Sequence, residues 1–152
     1  MTKLFLTLHV LAAIVAVGPV TVAASMFPPA LRRARRAPDD PDPRAALRTL
    51  HRVCRVYAVL GIAVPVFGFA TASSLGVLGS AWLIASVVLT AGAAAILALA
   101  IVPAQERALA TLGEADGKAA GRRLAMLAGV FNLLWATVTV LMIVRPGSTT
   151  GA

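Results

Sequence analysis

Residues 32–55 read RRARRAPDDPDPRAALRTLHRVCR and hold eight of the fourteen Lys and Arg residues of the chain. The stretch lies between two apolar segments. Its prolines and aspartates at 38–43 predict a polar turn, because proline cannot continue a helix. Asp42 is predicted to cap the next helix with Pro43 at its first position, which is a common helix start.

The composition around this turn is that of a membrane protein. Of 152 residues, 59% are apolar and 13% are charged, and the mean hydropathy is +0.88. A soluble domain is about half apolar and about a quarter charged. The net charge of +8 is expected from the excess of Lys and Arg in the cytoplasmic loops of membrane proteins, so nucleic acid is not predicted as a partner.

Four apolar runs, at about 4–26, 56–74, 81–102 and 124–144, are each long enough to cross a ~30 Å hydrocarbon layer as a helix. The second helix is predicted to begin near residue 43 in the cytoplasm. We interpret the first run as a span and not as a secretory signal peptide, because cleavage would place the arginine-rich turn outside. The predicted fold is all-α: an antiparallel four-helix transmembrane bundle forming a single membrane domain.

Local signals predict where these helices end and bend. Phe27-Pro28-Pro29 is predicted to end the first span or to form a short turn, and Pro103 to close the third. Pro65, in the middle of the second span, predicts a kink. The short link at 73–80 predicts that spans two and three are antiparallel neighbours. Trp82 is predicted to lie at the outer membrane interface.

Charge sets the predicted orientation. The two polar loops, the second at about 105–123, hold twelve of the fourteen Lys and Arg residues, whereas the other side holds Lys3 and Arg145. Both loops are therefore predicted to be cytoplasmic and both termini outside, in the inner (cytoplasmic) membrane.

A basic stripe begins the second helix, at Arg44, Arg48, Arg52 and Arg55. These residues recur at helical spacing, opposite an apolar face. They are predicted to bind anionic lipid headgroups, at about 1 kcal/mol for each residue near the surface. The alternative is a topology signal without a specific lipid.

Spans two to four contain no Asp, Glu, Lys, Arg or His. This argues against an ion-coupled exporter, since such carriers place an ionisable group within the membrane. His9, in the first span, is the candidate cofactor-binding residue, for haem or copper. The alternative is a histidine that is hydrogen-bonded to a neighbouring helix or to headgroups. His51 is assigned to the basic face, about 25 Å from His9, so the two cannot share one cofactor.

Two further residues carry predictions. Asn132, mid-way along the fourth span, is predicted to make an interhelical hydrogen bond, with a substrate contact as the alternative. Cys54 is predicted to be a small packing residue, although its basic neighbours could also lower its pKa.

Three stretches carry a resemblance to a known family: LHVLAAIVAVGP at 8–19, HRVCRVYAVLGIAVPVFG at 51–68 and LMIVRPG at 141–147. The chain resembles, over essentially its whole length, the bacterial integral membrane proteins grouped as domain of unknown function 2269. That family is distantly similar to membrane proteins of the copper-resistance D type and to the haem-binding membrane protoporphyrinogen oxidase. The resemblance implies four spans and a functional histidine in the first, here His9.

No catalytic motif is found, and the expected function is that of a non-enzymatic membrane component without a cofactor. Its expected partners are anionic lipids, other membrane proteins or further copies of the chain. The first alternative is a haem- or copper-associated protein that uses His9. The second is a small-solute transporter, which would have a polar cavity near Pro65 and Asn132.

Overall fold

The computed structural model describes residues 1–112 and 117–147, and these are helical apart from short links. Residues 113–116 of the second polar loop lie outside the described residues, as do residues 148–152. The helices are α1 (Thr2–Arg36), α2 (Pro41–Leu60), α3 (Ala63–Leu75), α4 (Ala81–Ala95), α5 (Val102–Ala110) and α6 (Gly117–Val144). A π-helical segment (Ile96–Ile101) joins α4 to α5.

Within the described residues, four helical stretches are long and apolar enough to cross a membrane. They are Thr2–Arg36, Pro41–Leu75, Ala81–Ala110 and Ala119–Val144, with mean hydropathies of 2.2, 1.9, 2.4 and 2.1 in their most apolar windows. Twenty-five large apolar side chains remain exposed along them, as a lipid-facing surface requires. The predicted all-α chain with four apolar helices is confirmed.

Helix α1 does not end at Phe27-Pro28-Pro29, and that prediction is wrong. The helix contains Pro19, Pro28 and Pro29 and continues to Arg36. Phe27, Leu31 and Ala34 are buried at helical spacing and pack against three other helices. This packing outweighs the missing proline N–H groups, because neighbouring helices can stabilise a helix that contains proline within a membrane protein. The first four arginines of the basic stretch are therefore helical.

Helix α2 begins two residues earlier than predicted. The Asp40 side chain accepts a hydrogen bond from the Asp42 backbone N–H at 3.0 Å, and Pro41 occupies the first turn. Asp-Pro occurs twice in succession, at 40–41 and 42–43. Each pair is a valid start signal, and the helix uses the first, because this adds two residues to it.

Three clusters of buried side chains hold the helices together. A central cluster joins all four long helices through Val20, Cys54, Leu97 and Phe131, among others. One end is closed by Phe27, Leu31, Leu47, Ala108 and Leu124. The other is closed by Ala72, Trp82 and Leu83, with Met142 packed against them.

Spans two and three contact each other, as the short link predicts, but mainly near their two ends. Helix α1 packs on α2, α3 and α6, whereas α4 packs on α6. Span three meets span two mainly through the π-helical segment and α5. At the link itself the two spans meet through Ala72, Trp82 and Leu83. Trp82 is therefore buried, and the Arg145 guanidinium lies 5.7 Å from its ring centroid.

Candidate functional site at the interrupted helices

The second span is interrupted at Gly61 and Ile62, between α2 and α3. The Ile62 N–H bonds the Val59 carbonyl and the Val64 N–H bonds the Gly61 carbonyl, both at 3.1 Å. The helix is thus interrupted four residues before Pro65, near the position where a kink was predicted. Pro65 has no N–H for the Gly61 carbonyl, and its ring would clash there in a regular helix. The Ala58 and Leu60 carbonyls thereby lose their regular partners.

The third span has a second irregularity, the π-helical segment Ile96–Ile101. The Val102 N–H bonds the Leu97 carbonyl, five residues back. Pro103 follows at once and cannot donate to the Leu99 carbonyl, so the wider turn makes room for the proline ring. The prediction that Pro103 closes the third span is therefore wrong, because the helix continues to Ala110. π-Helical turns are frequent at functional sites.

A cavity of about 230 Å³ lies between these two irregular segments. Its wall is mostly apolar, and three of its lining residues, Tyr57, Thr90 and Trp135, carry a hydrogen-bond donor. The remaining lining residues are Ala16, Val17, Val20, Ala58, Gly61, Ile62, Val64, Pro65, Ala94, Leu97, Ala98 and Phe131. Its rim residues Ile62, Pro65, Ala94 and Ala98 are exposed on the outer surface of the bundle. The cavity therefore opens sideways, between spans two and three.

The aromatic wall of the cavity comes from α6. Phe131 and Trp135 are in an edge-to-face arrangement, with ring centroids 6.3 Å apart and an interplanar angle of 68°. The Trp135 indole N–H is buried and has no hydrogen-bond partner among the described residues. A buried donor without a partner costs about 1–3 kcal/mol.

Asn132, which was predicted to make an interhelical contact or to face a substrate, lies outside this cavity. Its amide N–H donates to the Ser25 hydroxyl of α1 at 3.1 Å, and its carbonyl oxygen has no partner among the described residues. It borders a separate groove between α1 and α6, together with Pro28, Arg32 and Gly129. The cavity expected of a transporter is thus present near Pro65 but is mainly apolar and excludes Asn132.

His9 is held against α3. Its Nδ1 lies 2.9 Å from the Val64 carbonyl oxygen. Because a carbonyl can only accept, Nδ1 carries the proton, and the Nε2 of a neutral ring keeps its lone pair. The ring lies over Gly68, where an added Cβ would be 2.9 Å from its Cε1 and 3.0 Å from its Nδ1. Metal-binding histidines use the same arrangement, in which the second ring nitrogen donates to a carbonyl.

His51 does not belong to the basic face, so that assignment is wrong. It is buried, and its Nδ1 lies 3.3 Å from the Gln105 Oε1 on α5. It shares a stripe with the buried Leu47 and Cys54, because residues four and three apart lie on one helix face. Thirteen residues separate it from Val64, the partner of His9, or about 20 Å along a helix. The two histidines thus lie apart, as predicted.

Gln105 is a buried polar residue that the sequence analysis missed. It is fully buried between α5 and α2, accepts from His51 and donates from Nε2 to the Cys54 Sγ at 3.5 Å. Cys54 is fully buried as well. The sequence does contain a signal for this contact. His51 lies at helical spacing from Leu47 and Cys54, and a histidine on a buried helix face needs a polar partner.

The four arginines of the basic stripe, Arg44, Arg48, Arg52 and Arg55, are all exposed on α2. The opposite face of the same helix buries Leu47, His51 and Cys54. The arginine side chains are therefore free to meet solvent or headgroups.

No protein-family model, curated protein or solved structure matches this chain. Among the described residues, no group of three or more His, Cys, Asp or Glu side chains is placed to hold a metal ion. The choice between functions therefore depends on the geometry described above.

Proposed function

We propose that the protein is a non-enzymatic, multi-pass component of the inner (cytoplasmic) membrane that binds anionic lipids through the basic stripe of α2. In this arrangement the four spans are antiparallel, both polar loops are cytoplasmic and both termini are outside. The antiparallel order is supported by the packing of Phe27 and Leu31, late in α1, against Leu47, early in α2. The orientation is supported by the distribution of Lys and Arg.

The observation that carries the lipid-binding proposal is the two-sided character of α2. Its arginines are exposed on one face, while Leu47, His51 and Cys54 fix the opposite face in the core. The arginines therefore point away from the bundle along the part of α2 that precedes the apolar span. Each arginine near an anionic membrane surface contributes about 1 kcal/mol, so several on one face retain a lipid better than scattered charges do.

We expect the triple variant Arg44→Gln, Arg48→Gln, Arg52→Gln to retain less phosphatidylglycerol than the parent protein. The measurement is the lipid content of detergent-purified protein by mass spectrometry, after incubation with mixed phosphatidylglycerol and phosphatidylcholine micelles. Losing three headgroup contacts of about 1 kcal/mol each predicts a decrease in affinity of at least tenfold.

The matched control removes the same charge from α1, as Arg32→Gln, Arg33→Gln, Arg36→Gln, three residues that are also exposed. Retention in the control should stay close to that of the parent. Equal losses in both triple variants would show that only net charge matters and would contradict a lipid site on α2.

The second candidate function is the binding of haem or copper by His9. It is favoured by the hydrogen bond from Nδ1 to the Val64 carbonyl, which leaves Nε2 as the free ligand atom. His9 would then be the protein ligand that this chain supplies from its first span. Further ligands would come from the bound group, or from a second copy of the chain.

Protein purified in detergent from cells supplied with haem precursor and copper tests this candidate. If His9 binds the group, the purified protein has a Soret absorption band or stoichiometric copper, and His9→Ala abolishes it. His51→Ala serves as the control, because that side chain is engaged with Gln105 on another part of the bundle. Purified protein without the band and without copper would exclude this function.

A further inference from the structure

We propose that the cavity between the interrupted helices binds a neutral, lipid-soluble ring compound that carries a carbonyl oxygen. This site is separate from the proposed lipid-binding face of α2 and contains none of its arginines. It combines an apolar wall, aromatic side chains and a few hydrogen-bond donors, which is the usual composition of a small-molecule site.

The size of the cavity suits a single ring system. Its volume is about 230 Å³, whereas an apolar cavity of about 150 Å³ in another protein accepts benzene. The cavity thus has room for one ring with several substituents. An extended acyl chain has a different shape and would leave every donor in the wall without a partner.

The chemistry of the wall favours an acceptor on the ring. The Trp135 N–H is closed off from the cavity by neighbouring atoms, so the candidate donors are hydroxyl groups. Tyr57 and Thr90, on α2 and α4, also line the cavity, and neither hydroxyl makes a hydrogen bond to another described residue. Two hydroxyl donors beside an otherwise apolar space match one or two carbonyl oxygens. The edge-to-face pair of Phe131 and Trp135 provides an aromatic wall for the ring.

The interruptions of the helices explain why the cavity exists and how it is entered. The break contributes Gly61 and Ile62 to the lining of the cavity, and the π-helical segment contributes Leu97 and Ala98. The rim of the cavity is exposed on the outer surface of the bundle at four residues, Ile62, Pro65, Ala94 and Ala98. A lipid-soluble compound can therefore enter sideways from the hydrocarbon layer. Irregular backbone within a membrane protein is tolerated where it lines such a cavity.

Fluorescence quenching by duroquinone tests the proposal. The ring carbons of this probe are fully substituted, so it does not react with Cys54, and it carries two carbonyl oxygens. The chain has two tryptophans, Trp82 and Trp135. In Trp82→Phe, where Trp135 is the reporter, we expect saturable quenching in detergent micelles. In Trp135→Phe, where Trp82 reports from the far end of the bundle, quenching should rise linearly without saturation.

Two neighbouring alanines provide a matched pair of variants. Ala94 and Ala95 are both exposed, but only Ala94 lines the cavity. In the Trp82→Phe background, Ala94→Phe should fill the entrance and weaken duroquinone binding at least tenfold, whereas Ala95→Phe should leave it unchanged. Saturable binding that is equal in both variants, or linear quenching in every variant, would overturn the proposal.

Competition with durene tests the role of the carbonyl oxygens. Durene has the same carbon skeleton as duroquinone, a six-membered ring with four methyl groups, and lacks both oxygens. We expect it to displace duroquinone at least tenfold less effectively. Equal displacement by durene would show that the cavity selects hydrocarbon alone and would overturn the proposed acceptor.

Discussion

Phe27→Ala is expected to destabilise the protein by about 3–5 kcal/mol, the range for removing a fully buried aromatic side chain. Phe27 has no exposed surface and packs with Leu31, Leu47, Ala108 and Leu124. Its removal therefore leaves a cavity where α1, α2, α5 and α6 meet. Reversible unfolding by sodium dodecyl sulfate in mixed micelles, followed by circular dichroism, measures the change in the free energy of unfolding.

Met26→Ala is the matched control, because Met26 is the preceding residue and is 54% exposed. Its free energy of unfolding should change by less than about 0.5 kcal/mol, as for surface positions in general. If Phe27 instead lay in a turn at the membrane surface, the two variants would behave alike. Similar small effects would therefore contradict both the buried position of Phe27 and the uninterrupted course of α1.

The existence of the four helices could be predicted from the sequence, but several of their ends could not. Apolar length and the absence of charge are properties of each segment alone, and they identify the spans. The effect of Pro28 and Pro103 depends on what surrounds them. Phe27 and Leu31 keep α1 helical through packing with other helices, and a widened turn accommodates Pro103. Such effects come from tertiary contacts that a local reading of the chain does not contain.

The buried polar contacts show a similar limit. Helical spacing places His51 on the same face as Leu47 and Cys54. His51 was assigned to the basic face instead, because arginines lie close to it in the sequence. Gln105 could not be chosen as its partner, because it comes from another span, fifty-four residues along the chain. Likewise, Pro65 predicts a kink, whereas the cavity beside it also requires Thr90 and Trp135 from two other helices.

The sequence predicts that His9 lies within the first apolar span, and the structure adds the contacts that hold its ring. Its Nδ1–H donates to the Val64 carbonyl, and its ring fills the space above Gly68. The close approach requires a residue without a Cβ at position 68. Any function of His9, including cofactor binding, thus depends on a glycine on the second span.

Gly68→Ala is expected to displace the His9 ring and to destabilise the protein by about 1–3 kcal/mol relative to a harmless Gly→Ala change. The added Cβ would lie 2.9 Å from Cε1 and 3.0 Å from Nδ1, which is too close for the ring to remain in place. The ring must turn away, and the bond to Val64 is lost. Nitrogen NMR of histidine-labelled protein should show the loss of the single Nδ1-protonated form of His9.

Gly92→Ala is the control, because its added Cβ would have no described atom within 4 Å apart from its chain neighbours and the nearby backbone of its own helix. Alanine favours a helix over glycine by about 1 kcal/mol, so this variant should be as stable as the parent or more stable. A double-mutant cycle with His9→Ala then separates the steric effect from helix propensity. Once the ring is absent, Gly68→Ala should behave like Gly92→Ala. If Gly68→Ala is equally destabilising with and without His9, the ring does not occupy the space above Gly68.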